Sequence, residues 1–433
     1  MKKFFAILLS LTFLFTLAPP AHAMSPEEIS ISQKQKVEFQ SNLEYTALLD
    51  SFWADYDNGY PDYYAGAYLN SDGLLVVRVC GLTDAICLDV QQRTGNPLIL
   101  IENAKTSYNT LLSLKRRITD YVENNPSTEV VSNLLSSTVL DNTSTLEIGV
   151  KDDSEDSIAA VLSALFPATR SSKPRSSGLA NAISFVKEER NPVEYDGSHV
   201  ETISSISPTA TTTTTVYAGD RIDSNSGYMS IGFPCRMKTS SDDYVYGFVT
   251  SAHGCEKNEN ISYNGTIIGT VYEWKLDGRL DCAFVKMTNQ NYSFPHKIKL
   301  YDEDTGKTRI YPVAIGTSVM VAVGSSIYKD GTTTNTTSGT VKSVDADLYF
   351  KDIGKTITNM IKTSPMCEPG DSGGLGFIIG TDAGTLKTAA IKFGIVEGYY
   401  SVLGITTSSY FINYTYIYSD MPVTAYQESS APW

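Results

Sequence analysis

From about residue 216 onward the chain is written in short apolar runs rich in Val, Ile, Tyr and Phe, set between Gly, Asn, Asp and Ser. Examples are 228–233, 244–250, 266–274, 318–323 and 393–396. β-branched and aromatic residues suit a pleated, half-buried surface, and the small polar residues between them mark turns. Asn264-Gly265 is a hairpin signal, because both residues accept the positive φ of a tight two-residue turn. Long amphipathic helical patterns are absent. The spacing predicts an all-β domain over 216–433, in the size range of paired barrels or a sandwich.

The preceding residues follow a different pattern. Leu111, Leu114, Ile118 and Tyr121 recur at helical spacing and predict a helix over about 107–123. Residues 69–79 read as a hairpin turning at Ser71-Asp72-Gly73, and 145–150 as a strand. Asp153 or Ser154 caps a helix through Ile158, Val161, Leu162 and Leu165, stopped by Pro167. Strands interleaved with helices make 24–167 an α+β domain. Residues 168–215 are polar and rich in Ser, Thr and Pro, with a Thr run at 211–215, and are expected to be an exposed linker.

The N-terminus has the form of a targeting segment. Lys2 and Lys3 precede an apolar run over 4–18, and Ala21-His22-Ala23 supplies small residues for cleavage. The run is shorter than the ~18–20 residues a spanning helix needs. Removal of 1–23 and export out of the cell are expected, with no membrane association afterwards. Net charge is −14, with a pI near 4.8, which disfavours nucleic acid and anionic lipid as partners, since both require basic surface. An exported chain can form disulfides, and its six cysteines (Cys80, Cys87, Cys235, Cys255, Cys282 and Cys367) allow fifteen pairings. No Cys-x-x-Cys or His-rich cluster suggests zinc, and no motif suggests an organic cofactor, so neither metal nor cofactor is expected.

The chemistry is concentrated in Glu368-Pro369-Gly370-Asp371-Ser372-Gly373-Gly374. Glycines around a serine let the backbone bend sharply, admit a substrate and leave N–H groups open to a developing oxyanion. A serine hydroxyl needs a base beside it. Of the four histidines, His22 leaves with the targeting segment and His199 lies in the linker. His253 follows the apolar run 247–252 at a strand end, where a base is held rigidly; His296 follows Pro295 in a polar stretch and reads as a surface residue. The base needs an acid to fix its tautomer, and Asp281 heads Asp281-Cys282-Ala283-Phe284-Val285. The order His253, Asp281, Ser372 is the chymotrypsin order, and it excludes a lipase or esterase, in which Ser precedes the acid and His.

On these motifs, with Thr250-Ser251-Ala252-His253, residues 216–418 resemble the chymotrypsin-like serine peptidases, most closely the bacterial streptogrisin and α-lytic protease branch. The resemblance implies a double β-barrel with the catalytic groups in the cleft between the barrels. It implies Ser372 as nucleophile, His253 as base, Asp281 as its orienting acid, and Gly370 and Ser372 N–H groups as the oxyanion site. Tyr328-Lys329-Asp330-Gly331 resembles the family segment bearing a buried cation, which implies an ion pair of Lys329 with Asp371. Tyr217-Ala218-Gly219-Asp220 resembles a mature N-terminus, and 64–77 the family's pro-domain, implying a zymogen cut between about 208 and 220 whose pro-region assists folding and acts as an intramolecular inhibitor. A monomeric endopeptidase acting on proteins or peptides is expected; the alternative is an inactive secreted binding protein on the same fold.

Several residues depart from the family pattern. Gly254 intervenes between His253 and Cys255, although a Cys235–Cys255 disulfide remains the implied pairing; Cys80 with Cys87, and Cys367 with Cys282, are weaker options. The substrate pocket is expected from Ser364 and Met366 on one side and Val396, Glu397, Gly398 and Tyr399 on the other. Relatives carry Ser where Glu397 stands. Either the strand is shifted by one residue there, or Glu397 points into the cleft and favours basic substrate residues.

Overall fold

The computed structural model describes residues 32–57, 59–167, 182–188, 213–302, 307–350, 354–402, 405–427 and 431. The expected targeting segment with His22, the expected linker residue His199 and most of the linker lie outside the described residues. Among the described residues, no helix is long and apolar enough to cross a membrane.

The first half of the β-rich region is a sheet whose strands run, in spatial order, Val423–Thr424, Pro234–Lys238, Tyr244–Thr250, Leu280–Met287, Thr266–Asp277, Asn260–Tyr263, Arg221–Ser224 and Gly227–Ser230. Asn264 and Gly265 take φ of 48° and 75°, the positive values their turn demands. In the second half, Ser326–Gly331, Leu375–Thr381, Thr388–Val402, Ile405–Asn413, Lys355–Thr363 and Asn335–Phe350 are neighbours in that order, and the last pairs back onto the first. Six strands therefore close into a barrel, with no free edge between them.

Side-chain alternation distributes each strand between cores. Along Tyr244–Thr250, Phe248 packs with Ile231, Val271 and Phe294 inside the first half. Its neighbour Val249 points the other way, to Phe233, Cys235, Leu375, Phe377 and Tyr410, a cluster built from both halves. Val319, Ile361, Phe393 and Phe411 belong to a third cluster, inside the second barrel. Each large side chain so buried stabilises the fold by roughly 1.5–3 kcal/mol, and the shared middle cluster holds the two halves in one orientation.

Ahead of these halves lies the expected α+β region. Ser32 opens the helix Gln33–Asp55 with a capping box through Gln35. A hairpin, Tyr64–Leu69 and Leu75–Cys80, turns at Gly73 (φ 79°), and Leu100–Ala104 adds to it in parallel after the crossover helix Asp84–Thr94. The helix expected at 107–123 spans Tyr108–Asn124, and Ser154 caps Glu155–Leu165. From Ile31 onward the chain is one compact unit. The strand Leu134–Leu140 pairs with Asn335–Phe350, so the barrel's sheet continues into Leu134–Leu140, Thr145–Val150 and Ile183–Lys187 of the N-terminal region.

Two stretches differ from expectation. Part of the expected linker is ordered: Ile183–Lys187 is a parallel strand on Thr145–Val150, and buried Glu188 accepts from Ser136 Oγ (2.7 Å) and Lys362 Nζ (3.2 Å). Conversely, 318–323 forms no strand despite its composition. Its N–H groups are taken by the helix Gln33–Asp55: Thr46 Oγ1 accepts from Met320 N (3.0 Å) and Asn42 Oδ1 from Ala322 N (2.8 Å). Glu38 accepts from Ser326 N (3.1 Å). Glu38, Asn42 and Thr46 are spaced four apart, so they form one stripe along the helix. Val323 O instead accepts from Leu69 N (2.7 Å).

Candidate active site

His253 is reached three residues after Tyr244–Thr250 ends, and Asp281 is the second residue of Leu280–Met287, which pairs with that strand through Thr250↔Ala283. The pairing brings acid and imidazole together. Asp281 is 1% exposed. Its Oδ1 accepts from the backbone N–H groups of Ala252 (2.7 Å) and His253 (2.9 Å), and its Oδ2 meets His253 Nδ1 in a hydrogen bond. Burial alone would lower the imidazole pKa. The attraction of Asp281, its hydrogen bond and the charge of Glu397 outweigh that, and the pKa is raised above its ordinary value.

Ser372 lies in a turn at the boundary of the two halves. Its carbonyl accepts from Ser230 N (2.8 Å) of the first half, while Gly373 N donates to Val396 O (2.8 Å) of the second. Gly373 takes φ 84°, and a Cβ there would stand 2.9 Å from Ser251 N and 2.2 Å from Thr250 Oγ1. Only glycine therefore lets the serine turn approach the segment leading to His253. The Ser372 hydroxyl donates to the carbonyl of Glu397 (3.2 Å) rather than to the imidazole. Among the described residues, the N–H groups of Gly370 and Ser372 donate to no protein acceptor, as an oxyanion site requires. Gly370 takes φ 95°, and its carbonyl accepts from Ser230 Oγ (2.8 Å).

Lys329 and Asp371 are brought together as the resemblance implied: Nζ and Oδ2 are 2.9 Å apart, and both side chains are 0% exposed. Asp371 also accepts from Thr333 N (2.9 Å), Thr334 N (3.1 Å), Thr334 Oγ1 (2.6 Å) and Glu368 N (3.0 Å). Lys329 in turn donates to Thr334 Oγ1 and to Asn335 O (2.8 Å).

The expected pocket residues lie on two segments, Ser364 and Met366 ahead of the serine turn and 396–399 on Thr388–Val402. Ser364 Oγ accepts from Thr340 N (2.9 Å), and Met366 O from Thr337 Oγ1 (2.7 Å). A Cβ on Gly339 would meet Met366 Sδ and Ser364 Oγ, each at 2.8 Å. On the second segment, Val396 pairs with Phe411 and Gly398 with Tyr410, with a β-bulge between. A Cβ on Gly398 would meet nothing within 4 Å, so open space lies against it, and Tyr399 beyond it is half-buried. Glu397 is the bulged residue. It is 2% exposed, and one of its carboxylate oxygens lies within 4.8 Å of a ring nitrogen of His253 and a carboxylate oxygen of Asp281.

Two expectations are corrected. All six cysteines are free thiols. Cys235 faces the cluster between the halves, whereas Cys255 lies in the first half's interior with its Sγ on Ser251 O (3.6 Å), so the Cys235–Cys255 bridge is not formed. Burial pushes the pKa of Cys235, Cys255 and Cys282 upward and that of Cys367 to about 12, so all four stay protonated at neutral pH. His296 is not on the surface: it is 5% exposed and its ring lies 4.7 Å from that of Tyr426.

Comparison with known proteins finds partial similarities. A family model described as a Pro-like N-terminal domain matches residues 26–106. Streptogrisin-D of Streptomyces griseus is 29% identical over 161 residues, 37% of each chain, and Streptogrisin-C of the same organism is 30% identical over 159 residues, 36% of this chain and 31% of that one. The chain thus spans about a third of the length of these relatives. Among solved structures, the Nocardiopsis protease is similar at 18% identity with a TM-score of 0.39, covering 49% of this chain and all of that one; Thermobifida fusca Protease A is similar at 20% and 0.38 over the same share. The chain is thus similar to the streptogrisins over about a third of its length, and it carries a Pro-like N-terminal domain match ahead of its two β-rich halves.

Proposed function

We propose that this chain is the precursor of a secreted serine endopeptidase that cuts peptide bonds through an acyl-enzyme on Ser372. The observation that carries the reading is the His253–Asp281 hydrogen bond beside a serine turn whose Gly370 and Ser372 N–H groups donate to no protein acceptor among the described residues. Asp281 fixes the tautomer in which Nδ1 carries the proton and Nε2 is the acceptor. On substrate binding the Ser372 hydroxyl turns from the Glu397 carbonyl to Nε2, gives up its proton and attacks the scissile carbonyl. The oxyanion falls between the N–H groups of Gly370 and Ser372, donors of a kind worth about 2.7–4 kcal/mol each in the transition state. The imidazolium then protonates the leaving amine, and water repeats the sequence to release the acid product. The open space at Gly398 and the walls at Ser364 and Met366 suit a partly apolar substrate side chain.

The N-terminal region acts as pro-region and intramolecular inhibitor in this reading. It occupies the second barrel through the Glu38–Asn42–Thr46 stripe, the shared sheet and Lys115, whose Nζ pairs with Asp345 and with Asp347 (2.6 Å). Maturation cleavage falls within 208–213, because Thr214, Val216 and Ala218 already donate to Asn291, Ser293 and Lys297 of the first half.

Treatment of the folded protein with a sulfonyl fluoride or organophosphate, followed by peptide mapping, tests the class. Modification of Ser372 that is lost on denaturation is expected; a folded protein that is never modified, or is modified elsewhere, overturns the reading. N-terminal sequencing of the exported form checks the maturation site, and a start near residue 24 contradicts it.

A further inference from the structure

Glu397 brings a second carboxylate to the imidazole. A ring nitrogen of His253 and one carboxylate oxygen from each of Asp281 and Glu397 all lie within 4.8 Å of one another. The β-bulge between the Val396↔Phe411 and Gly398↔Tyr410 pairs turns the Glu397 side chain inward, where it is 2% exposed. The same residue's carbonyl accepts the Ser372 hydroxyl at 3.2 Å. Glu397 therefore touches the nucleophile with its backbone and approaches the base with its side chain.

Two buried carboxylates this close repel each other, and an imidazolium between them relieves the repulsion. An opposite charge within about 4–6 Å favours the charged form of an ionisable group by one to three pKa units. The groups facing Glu397 come from several elements. Asp281 and His253 belong to the first half. Cys367 precedes the serine turn and Tyr410 lies on Ile405–Asn413; both are raised, first by burial and then in part by the Glu397 charge. Lys329, near Cys367, is held by Asp371.

We propose that Glu397 is a positioning residue of this site: its carboxylate acts beside Asp281 as a second anionic partner of His253, keeps the resting imidazole protonated to higher pH than one carboxylate would, and so confines the active nucleophile to the alkaline side. The proposal rests on the reading of Ser372, His253 and Asp281 as a serine protease centre. Glu397 forms no bond and takes no proton in the reaction; the proton passes from Ser372 to His253 as described above. The raised His253 pKa agrees with this arrangement.

The test uses protein expressed from the full-length sequence, as wild type, Glu397→Gln and Glu397→Ser. The rate of Ser372 modification by a small neutral organophosphate is followed against pH, with kcat/KM for a neutral peptide substrate alongside. Removing the carboxylate is expected to move the midpoint of the acid limb down by about one to three pH units. A role confined to packing would lower the plateau without moving the midpoint. Midpoints that coincide, with Ser372 still modified, overturn the proposal while leaving the triad reading intact; absence of modification in the wild type at every pH overturns the triad reading itself. Should both variants fail to fold, NMR titration of His253 in a full-length protein carrying Ser372→Ala and Asp281→Asn decides. With Asp281 neutralised, a pKa still above 6.5 supports the proposal, and one at or below it refutes it.

Discussion

Replacing Lys329 with Met strips the buried cation from Asp371. Both side chains are 0% exposed and 2.9 Å apart, so no solvent screens the loss. Breaking a buried pair by removing one partner costs about 3–5 kcal/mol, because the remaining charge is left uncompensated. Asp371 keeps four other donors, from Thr333 N, Thr334 N, Thr334 Oγ1 and Glu368 N, and these hold the carboxylate in part. The expected loss is therefore near the lower end, about 3 kcal/mol. Asp371 also sits between Gly370 and Ser372, so relaxation of its turn shifts both oxyanion donors. A misplacement of about 1 Å costs on the order of 10²-fold in activity. Stability is read from urea denaturation of full-length chains carrying Ser372→Ala, which prevents self-processing, and activity from the Ser372 background. Lys329→Met, Asp371→Asn and the double variant complete a cycle. The double variant should be less destabilised than the sum of the singles. A Lys329→Met midpoint indistinguishable from the parent, or strictly additive effects, would refute the reasoning.

Three further outcomes are expected. Asp281→Asn leaves the fold but presents the wrong imidazole tautomer, and kcat should fall about 10⁴-fold, measured with a peptide substrate. His296 has its pKa depressed to about 3 by burial, with Lys392 adding to the effect, against 6.5 when free. Between those values the unfolded chain binds a proton that the folded chain refuses, so stability falls as pH drops from about 6.5 to 3, by roughly 5 kcal/mol in all. His296→Gln should flatten that slope in denaturation curves taken across this range. Lys115→Met leaves Asp345 and Asp347 buried side by side without their cation, and should destabilise the full-length Ser372→Ala chain by about 3–5 kcal/mol; an unchanged urea midpoint would show that the N-terminal region is held by other contacts.

The candidate site was legible because its chemistry sits in short contiguous strings. Asp281, His253 and Ser372 each lie at or beside a strand whose alternation is visible in the sequence, and Gly370 and Gly373 announce the turn between. The Lys329–Asp371 contact followed only from the family resemblance; nothing in the spacing alone joins residues so far apart. The turn at Asn264-Gly265 with the run 266–274, the strand Thr145–Val150 and the helix near 107–123 were legible from local pattern.

Elsewhere, long-range partners decided the outcome. The helix Gln33–Asp55 has no clean apolar stripe, because the face it buries includes Glu38, Ser41 and Asn42 alongside Tyr45, Leu48 and Phe52. Its polar side chains replace the strand partners that 318–323 would otherwise seek. His296 stands between polar neighbours, yet Tyr426, far along the chain, covers it. The strand beside Cys235 suggested a bridge, but Cys235 on its strand and Cys255 in the turn after His253 face different cores. Glu397 was noticed as a departure, and only the bulge in Thr388–Val402 shows where its side chain goes.

The most direct measurement of the central claim is acid-quenched mass spectrometry of the protein mixed with an activated ester substrate. The account predicts a transient acyl adduct on Ser372 that accumulates before steady state, disappears in Ser372→Ala and forms far more slowly in His253→Ala. Peptide-bond hydrolysis that proceeds without such an adduct, or that survives in Ser372→Ala, would contradict it.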